Sequence, residues 1–297
     1  MTQIDVLVLG GAGVDTIVRV PELPLPYADS YMVPAITTRA GQTGDGVALA
    51  LAALGHRVHH LDVLGDDPEG DLVRALHTET GVPLTTVTQH SGTKRAVNLV
   101  DPGGRRLSLY DISRGDQDAK FPDDLLVDLV RRSRHVHVTI THPCAATLPL
   151  LTASDVTVST DLHNWDGSQD YHRQFAAAAD VVFVSADVLQ DVPATLREIA
   201  AMGRPQVVVA TNGAAGAWQL IDEQILPIPP VAPDRAVVDS NGAGDAFAAG
   251  YLHGWLAGEQ PDTCGRLGAA AGAHCCTVPA TEVAPITAAE LLEMVRP

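Results

Sequence analysis

The stretch Ser240–Phe247 reads SNGAGDAF, and the largely apolar segment AAGYLHGWLAG follows it directly. Gly242 and Gly244 allow the backbone to turn tightly and to approach a ligand closely. The apolar segment predicts a helix that begins at this turn, and the first amide groups of a helix have no partner within it. Those amides, at the positive end of the helix dipole, bind anions such as phosphate. Asp245 lies in the first turn, beside this predicted anion site.

A carboxylate at that position has two interpretations. It can simply complement the positive helix end, as acidic residues in first turns commonly do. Alternatively, an ionised Asp245 accepts a proton from a substrate hydroxyl while that oxygen attacks phosphorus. The backbone amides of Gly242, Ala243 and Gly244 would then stabilise the transferring phosphoryl group. The residues of this stretch alone leave both interpretations open.

The composition fits one large α/β domain. The chain has 297 residues, of which 46% are hydrophobic, and this is enough to form a sizeable core. The formal net charge of −17 argues against a general nucleic-acid binder, which normally presents a basic face. The N-terminal sequence MTQIDVLVLGG has neither a basic region nor a long apolar stretch. We therefore expect no signal peptide, no contact with a membrane and a cytoplasmic location.

Apolar strand-like segments alternate with helical ones along much of the chain. Near the N-terminus, IDVLVLGGAG predicts a buried strand that ends in a glycine turn, and GDGVALALAALG predicts a helix. Beyond residue 122 the strand-like segments are HVHVTI, VTVST, DVVFVS and QVVVATNG, with helical segments between them. This alternation predicts a doubly wound α/β fold, in which a mostly parallel sheet is covered by helices on both faces.

Two extended segments, 14–40 and 85–117, interrupt the alternation. Prolines break the first segment, and the second contains DPGG between two strand-like runs, which is typical of a β-hairpin. We predict that the two segments pair into a small sheet that forms a lid over the ligand-binding crevice. The α/β core then comprises residues 1–13, 41–84 and 118–297. The hairpin cations, assigned to solubility and edge protection, are Lys94, Arg95, Arg105 and Arg106.

The segment VVDSNGAGDAFAAGYLHG, residues 237–254, resembles the C-terminal signature of the ribokinase-like (PfkB) family of small-molecule kinases. The family pattern is D-[ST]-x-G-A-G-D-x-F-x-x-G, and every fixed position of it matches. The resemblance extends over nearly the whole chain. It implies a ribokinase-like fold and an enzyme that transfers the γ-phosphate of ATP to a hydroxyl of a sugar or a sugar-like molecule. It also implies Asp245 as the general base, Mg²⁺ with ATP and, as in many members, K⁺.

The same resemblance implies the residues that hold the phosphate acceptor. Asp15 follows the first strand, where family members carry an aspartate. The run AGQTGDGVALALAALG is similar to the family's G-G-x-x-x-N-x-A turn, so Gly41, Gln42 and Asp45 are expected to contact acceptor hydroxyls. Asp45 stands where the family usually has asparagine. This change replaces an amide donor with an acceptor-only group, and it favours an acceptor molecule rich in donors.

The nucleotide side rests on a second match. The segment VVVATNGAAGAW resembles the family's T-x-G-x-x-G turn. This sequence departs from the family at the N-x-x-E motif, where it has Ser185-Ala186-Asp187-Val188. The surrounding segment DVVFVSADV is instead similar to the ketohexokinase branch. Magnesium contacts are therefore not carried over, and Asp161 and Asn164 are alternatives that act through water. The residues expected to contact ATP are Ser185, Thr211, Gly213, Gly216, Asn241 and Arg114.

Asp239 and the loop 277–282 are the predicted surroundings of a monovalent cation. Because family lids often pair between subunits, we also predict a homodimer formed through the lid. A nucleoside kinase of the adenosine kinase type is the enzymatic alternative, and a nucleotide-binding regulator without turnover is the alternative outside enzymology. A dinucleotide-binding oxidoreductase does not fit, since Thr16 occupies the position of the last glycine in the G-x-G-x-x-G pattern.

Overall fold

The computed structural model describes residues 3–114, 119–233, 235–279 and 282–296. The predicted segment boundary at residues 117 and 118 and part of the predicted cation loop, residues 280–281, lie outside the described residues. Within them, no helix is both long enough and apolar enough to cross a membrane.

The strands form two separate sheets. A nine-stranded sheet has the order β13-β12-β11-β10-β9-β8-β1-β4-β5, and a four-stranded sheet has the order β3-β2-β6-β7. The nine-stranded sheet is parallel except at β12 and β13, which pair antiparallel at one edge. The strands are β1 (Ile4–Leu9), β2 (Val14–Arg19), β3 (Ile36–Ala40), β4 (Val58–Gly65), β5 (Leu84–Gln89), β6 (Arg95–Val100), β7 (Arg106–Tyr110), β8 (Ser133–Val138), β9 (Thr157–Asp161), β10 (Val181–Ser185), β11 (Val207–Thr211), β12 (Ala217–Ile221) and β13 (Gln224–Ile228).

The helices cover both faces of the large sheet, as the alternating sequence pattern predicts. Helix α2 begins after Asp67, whose side chain accepts a hydrogen bond from the Gly70 amide, and it ends at Gly81 in the left-handed conformation. The helices are α1 (Thr43–Ala53), α2 (Pro68–Thr80), α3 (Asp123–Arg132), α4 (His142–Ala145), α5 (Leu148–Ala153), α6 (Asp170–Ala178), α7 (Val192–Ala200), α8 (Ala243–Ala257), α9 (Pro261–Cys275) and α10 (Ala288–Met294).

Side-chain alternation along the strands produces two cores, one on each face of the large sheet. In β1, Val6 and Val8 belong to one buried cluster, whereas Leu7 and Leu9 belong to the other. Successive strand residues point to opposite faces, so a strand buried on both sides is apolar throughout. The first cluster contains residues of α1, α8 and α9, and the second contains residues of α3, α5, α6 and α7.

The four-stranded sheet combines the two predicted inserts, although one strand was assigned to the wrong sheet. β2 pairs with β3 from the first insert and with β6 from the second, and β6 and β7 form the predicted hairpin. β5, which begins near the predicted boundary at residue 85, instead pairs parallel with β4 in the large sheet. The second insert therefore joins the small sheet only from β6 onward.

Helices α8 and α9 pack unusually closely, and this contact fixes the position of the SNGAGDAF turn. A Cβ atom added at Gly250 would lie 2.6 Å from the Leu267 carbonyl oxygen. Phe247, at the start of the buried face of α8, packs edge-on against Phe183 of β10. The start of α8 is thereby held against both its helical neighbour and the sheet.

This packing predicts that Gly250→Ala destabilises the protein by about 1–3 kcal/mol, as overpacked core substitutions do. The matched control is Gly254→Ala in the same helix, where the nearest atom to the new methyl group is the movable end of the Leu267 side chain. Both changes gain the same helix propensity, so any difference in stability comes from the contacts of the new methyl group. We therefore expect Gly254→Ala to lose less stability than Gly250→Ala. Urea denaturation measures the difference, and equal stabilities would contradict the proposed helix contact.

Candidate functional site

A large cleft runs along the carboxyl ends of the central parallel strands, where ligands bind in open α/β sheets. Its volume is about 1270 Å³. Residues at or just after the ends of five strands contribute to its lining, and these are Gly11, Thr141, Asp161, Ser185 and Thr211. The strands β6 and β7 of the small sheet face the same cleft, since Arg95, Asn98 and residues 106–108 are also among the lining residues.

The SNGAGDAF turn lies in this cleft, and α8 begins within it. Gly242 is the N-cap of α8 in the left-handed conformation, and residues 242–245 all line the cleft. Gly244 has open space where a Cβ would be. The Ala243 amide donates to the Ser240 carbonyl at 3.3 Å, and the open space at Gly244 lies beside the start of the helix, where anions such as phosphate bind. The sequence correctly places the helix start, the glycine turn and Asp245 together.

Asp245 reaches across the cleft to the start of helix α1. A Cβ added at Gly46 would lie 2.9 Å from the Asp245 Oδ2 atom and 3.0 Å from its Cβ. Gly44, two residues earlier in the chain, is restricted more tightly, because a Cβ there would lie 1.9 Å from the Gly10 carbonyl oxygen. The absence of a side chain at Gly46 therefore lets the start of α1 meet Asp245 of α8, and the absence of one at Gly44 lets α1 lie against the turn after β1. The sequence analysis did not single out Gly46. Its position directly after Asp45, in the glycine-rich turn, is the feature that could have indicated it.

The cleft makes the Asp245 carboxyl group easy to protonate. Burial raises the pKa of Asp245 well above its usual range, and the negative charges of Asp161 and Asp15 raise it further. Arg106 and Arg39 act in the opposite direction. This finding corrects the simple expectation that a carboxylate at a helix start is fully ionised, and it gives Asp245 a pKa closer to the range that suits a general base.

Polar groups near Asp245 form a second wall, on the side predicted for the acceptor. Asp15, Gly41 and Gln42 line the cleft as predicted. The Gln42 Nε2 atom donates to the Asp15 Oδ1 atom at 3.3 Å, and burial raises the pKa of Asp15. Arg39 was not predicted, yet it lies 3.8 Å from the Asp15 carboxylate and also lines the cleft.

Two buried polar atoms on this wall have no hydrogen-bond partner among the described residues. They are the Arg39 Nε atom and the Thr141 Oγ1 atom, and both residues line the cleft. Buried polar groups in native proteins are normally paired, so unpaired ones at a cleft indicate where a polar ligand binds. The carboxylate, amide and guanidinium groups here match the hydroxyl groups of a sugar, which both donate and accept hydrogen bonds.

Asp45 differs from its predicted role. Its side chain is fully buried and does not line the cleft. Its Oδ2 atom accepts hydrogen bonds from the amides of Gly13 and Gln42, and its Oδ1 atom lies 2.9 Å from the His77 Nε2 atom. Burial alone would raise the pKa of Asp45, but hydrogen bonds from His60 and His77 hold it well below its usual range. Asp45 therefore lies beneath the cleft wall, and its side chain is not exposed in the cleft.

On the nucleotide side, the structure brings together most of the predicted residues. Ser185, Thr211 and Gly213 line the cleft at the ends of β10 and β11. Gly216 does not line it. A Cβ at Gly216 would lie 2.3 Å from the Ile228 carbonyl oxygen, and its φ of +93° is in the left-handed region. This glycine is required by the tight packing of the β11–β12 turn against β13.

Two arginines connect the small sheet to the segment before α8. Arg106 of β7 donates to the Asn241 Oδ1 atom at 2.5 Å, and Arg19 of β2 donates to the Asp239 Oδ2 atom at 2.9 Å. Asn241 lines the cleft, whereas Asp239 does not. Arg106 had been assigned to solubility, and the structure instead places it in the cleft, where its charge acts on Asp245.

The remaining predicted cations also have defined partners. Arg114 lines the cleft as predicted for an ATP contact, and it lies 3.2 Å from the Asp67 carboxylate and 3.3 Å from that of Glu69. Lys94, also assigned to solubility, forms an ion pair of 3.0 Å with the fully buried Asp62 and lines the cleft. Of the four hairpin cations assigned to solubility, Arg105 alone does not line the cleft. It pairs with Asp101 at the exposed hairpin turn, as that assignment predicts.

Comparisons with known proteins agree with this geometry. A family model described as pfkB family carbohydrate kinase matches residues 3–287. The acarbose 7(IV)-phosphotransferase of an Actinoplanes species is 56% identical over 290 residues, which cover 97% of this chain and 97% of that protein.

Solved structures show the same fold. A microbiome-derived acarbose kinase superimposes with a TM-score of 0.91 at 45% identity, with coverage of 99% of this chain and 100% of that chain. The ribokinase of Thermotoga maritima superimposes with a TM-score of 0.80 at 16% identity, with coverage of 98% and 99%. The ribokinase-like fold predicted from the sequence is thereby confirmed.

The raised pKa of Asp245 predicts that its ionised form lowers the stability of the folded protein. The folded state binds the Asp245 proton more tightly than the unfolded state does. The contribution of Asp245 to the free energy of unfolding therefore falls as pH rises from its unfolded pKa through its folded pKa. Asp245→Asn stays neutral, and we expect it to be more stable than the wild type at pH 8, with a smaller difference at pH 5. Urea denaturation at the two pH values measures the effect.

Asp45→Asn is the matched control for this prediction, because the pKa of Asp45 is shifted in the opposite direction. It should destabilise the protein at pH 8, since it removes the charge that His60 and His77 compensate. A destabilising effect of Asp245→Asn that is independent of pH would contradict the proposed electrostatics of the cleft.

Proposed function

The chain belongs to the pfkB family of carbohydrate kinases, and we propose that it transfers the γ-phosphate of ATP to a hydroxyl of acarbose or a closely related oligosaccharide-like molecule, with Asp245 as the general base. The enzyme class follows from the family and from the relatives: the chain is an ATP-dependent carbohydrate kinase with a small-molecule sugar acceptor. The observation that supports the acceptor is the identity of 56%, spread over 97% of both chains, with the acarbose 7(IV)-phosphotransferase.

The proposed reaction uses the two helix starts that meet in the cleft. The acceptor hydroxyl lies against Asp15, Gln42 and Arg39, with its oxygen directed at the γ-phosphorus. Asp245 takes the hydroxyl proton as the new oxygen–phosphorus bond forms and the bond to the ADP leaving group breaks. The amides at the start of α8 hold the charge on the phosphoryl oxygens during the transfer.

Magnesium binding is part of this proposal, and the residues present fit it. Asp161, Asn164 and Asp187 all line the cleft, where they offer carboxylate and amide oxygens, and oxygen ligands of this kind, acting through water, suit Mg²⁺. When bound with ATP, Mg²⁺ neutralises phosphate charge. A monovalent cation such as K⁺ near Asp239 stays a prediction, since the Asp239 carboxylate is already paired with Arg19.

The cleft suits a large acceptor better than a nucleoside. A volume of about 1270 Å³ can take ATP together with an acceptor of several linked rings. A nucleoside base normally binds between aromatic side chains. Among the described residues of the small sheet that line the cleft, Tyr110 is the aromatic one, and its side chain is exposed. The nucleoside kinase alternative is accordingly weaker.

Two further proposals concern the assembly and location of the enzyme. The small sheet presents exposed apolar side chains, among them Ile36, Leu107, Leu109 and Tyr110, and these support a homodimer formed through the lid. We also propose a cytoplasmic location, because the phosphate donor is ATP.

The proposed function predicts ADP release that depends on acarbose. Asp245→Asn should reduce kcat by at least about 100-fold, since general base catalysis contributes that much or more. A coupled ADP-release assay over acarbose, maltose, ribose, fructose and adenosine measures both the acceptor and the mutant. The matched control is Asp262→Asn, which removes the exposed acid in the first turn of α9 and should leave the rate unchanged. Faster turnover with adenosine would contradict the acceptor, and an active Asp245→Asn would contradict the base.

The pH profile tests the base independently. Because only ionised Asp245 accepts a proton, kcat/KM should fall at acid pH with an apparent pKa above the usual carboxyl range. Asp161→Asn removes a negative neighbour and should lower this apparent pKa, whereas Arg106→Gln removes a positive one and should raise it. Steady-state kinetics between pH 4 and pH 9 give the three values. If both variants moved the acid limb in the same direction, or neither moved it, Asp245 would not be the titrating group.

A further inference from the structure

Three titratable side chains from three elements converge beneath the acceptor wall. They are Asp45 of α1, His60 of β4 and His77 of α2, and each is at most 3% exposed. The Asp45 Oδ1 atom lies 2.9 Å from the His77 Nε2 atom and 3.4 Å from the His60 Nδ1 atom. The two ring nitrogens lie 3.3 Å from each other. The mechanism proposed above does not use any of these groups.

The remaining ring nitrogens determine which atoms of the cluster carry protons. The His60 Nε2 atom lies 2.9 Å from the Gly10 carbonyl oxygen, and the His77 Nδ1 atom lies 3.0 Å from the Val82 carbonyl oxygen. A carbonyl oxygen only accepts hydrogen bonds, so both of these nitrogens must carry a hydrogen. In the neutral rings, the His60 Nδ1 and His77 Nε2 atoms then present lone pairs to each other and to the Asp45 carboxylate.

Three acceptor atoms that face one another require a positive charge between them, which either a bound proton or a metal ion supplies. The arrangement has the features of a metal site, in which each histidine donates its second ring N–H to a backbone carbonyl. Zn²⁺ bonds of about 2.0–2.1 Å place tetrahedral ligand atoms roughly 3.3–3.4 Å apart, close to the separations in this cluster. The Asp45 Oδ2 atom is already held by the amides of Gly13 and Gln42, which leaves Oδ1 for the metal.

We propose that Asp45, His60 and His77 supply three ligands of one buried Zn²⁺ site, whose fourth position is left for a water molecule. Two imidazoles and one carboxylate favour Zn²⁺ over Mg²⁺ or Ca²⁺, which prefer oxygen ligands. The ion connects α1, α2 and β4 directly beneath the glycine turn at residues 10–13. Since Gln42 at the start of α1 donates to Asp15, the metal also braces the wall on which the acceptor lies. The site does not depend on the identity of that acceptor.

The experiment uses the full chain without an affinity tag, since tag histidines bind zinc. The protein is unfolded in guanidinium with EDTA, refolded with or without an equimolar amount of zinc sulfate, and desalted. We expect one tightly held zinc per chain by plasma mass spectrometry. We also expect a melting temperature several degrees above that of the zinc-free protein, because a ligand that binds only the folded state stabilises it.

His77→Gln should abolish both the retained zinc and the thermal shift. The matched control is His59→Gln on the same strand, where His59 pairs with Thr85 and is not part of the cluster; it should keep both. If His77→Gln does not fold, wild-type protein refolded with Co²⁺ gives the same information, because tetrahedral Co²⁺ has a strong visible absorption. Wild-type protein that retains no metal and shows no thermal shift would overturn the proposal and would mean that the cluster holds only protons. Equal zinc in both variants would place the metal elsewhere and overturn the assignment.

Discussion

The close approach of two helix N-termini is the constraint on which the rest of the site depends. Helix α1 starts at Thr43, after β3, where the amides of Gly44 and Asp45 donate to the Gly11 carbonyl in the turn that follows β1. Helix α8 starts on the SNGAGDAF turn, in the same cleft. The approach is possible because Gly46 lies against the Asp245 side chain, while Gly44 holds α1 against the Gly10 carbonyl group. A larger residue at position 46 would push the start of α1 away from Asp245.

This geometry creates opposing effects on the charge of Asp245, and the opposition suits the proposed role of Asp245 as a base. The helix start, Arg39 and Arg106 favour the ionised form, whereas burial, Asp161 and Asp15 favour the protonated form. A carboxylate that is strongly stabilised would be a weak base, as the buried and fully compensated Asp45 illustrates. Asp45 and Asp245 therefore show how two aspartates near adjoining helix starts acquire different roles from their neighbours. One braces the fold, and the other is left able to take a proton.

Local sequence motifs predicted the parts of the site that lie within one segment. The glycine turn, Asp245, Thr211 and Gly213 were located in this way, because a tight turn needs its glycines at fixed spacing. The sheet assignment of β5 was wrong because its alternating Thr and Val residues suit the edge of either sheet, and strand pairing is set by distant partners. Arg106 was likewise misassigned, since a hairpin cation has the same local pattern whether it faces solvent or the cleft.

Asp45 shows the limit of a matched motif most clearly. Its position within the α1 turn is that of the family's acceptor residue, but His60 and His77 come from other elements and hold its carboxylate beneath the wall. Because the account centres on Asp245, a crystal structure with acarbose and a non-hydrolysable ATP analogue tests it most directly. We predict an acceptor hydroxyl oxygen about 2.6–3.2 Å from an Asp245 carboxylate oxygen, with the γ-phosphate at the start of α8. An acceptor bound with no hydroxyl near Asp245, or a γ-phosphate away from the amides of residues 242–245, would contradict the account.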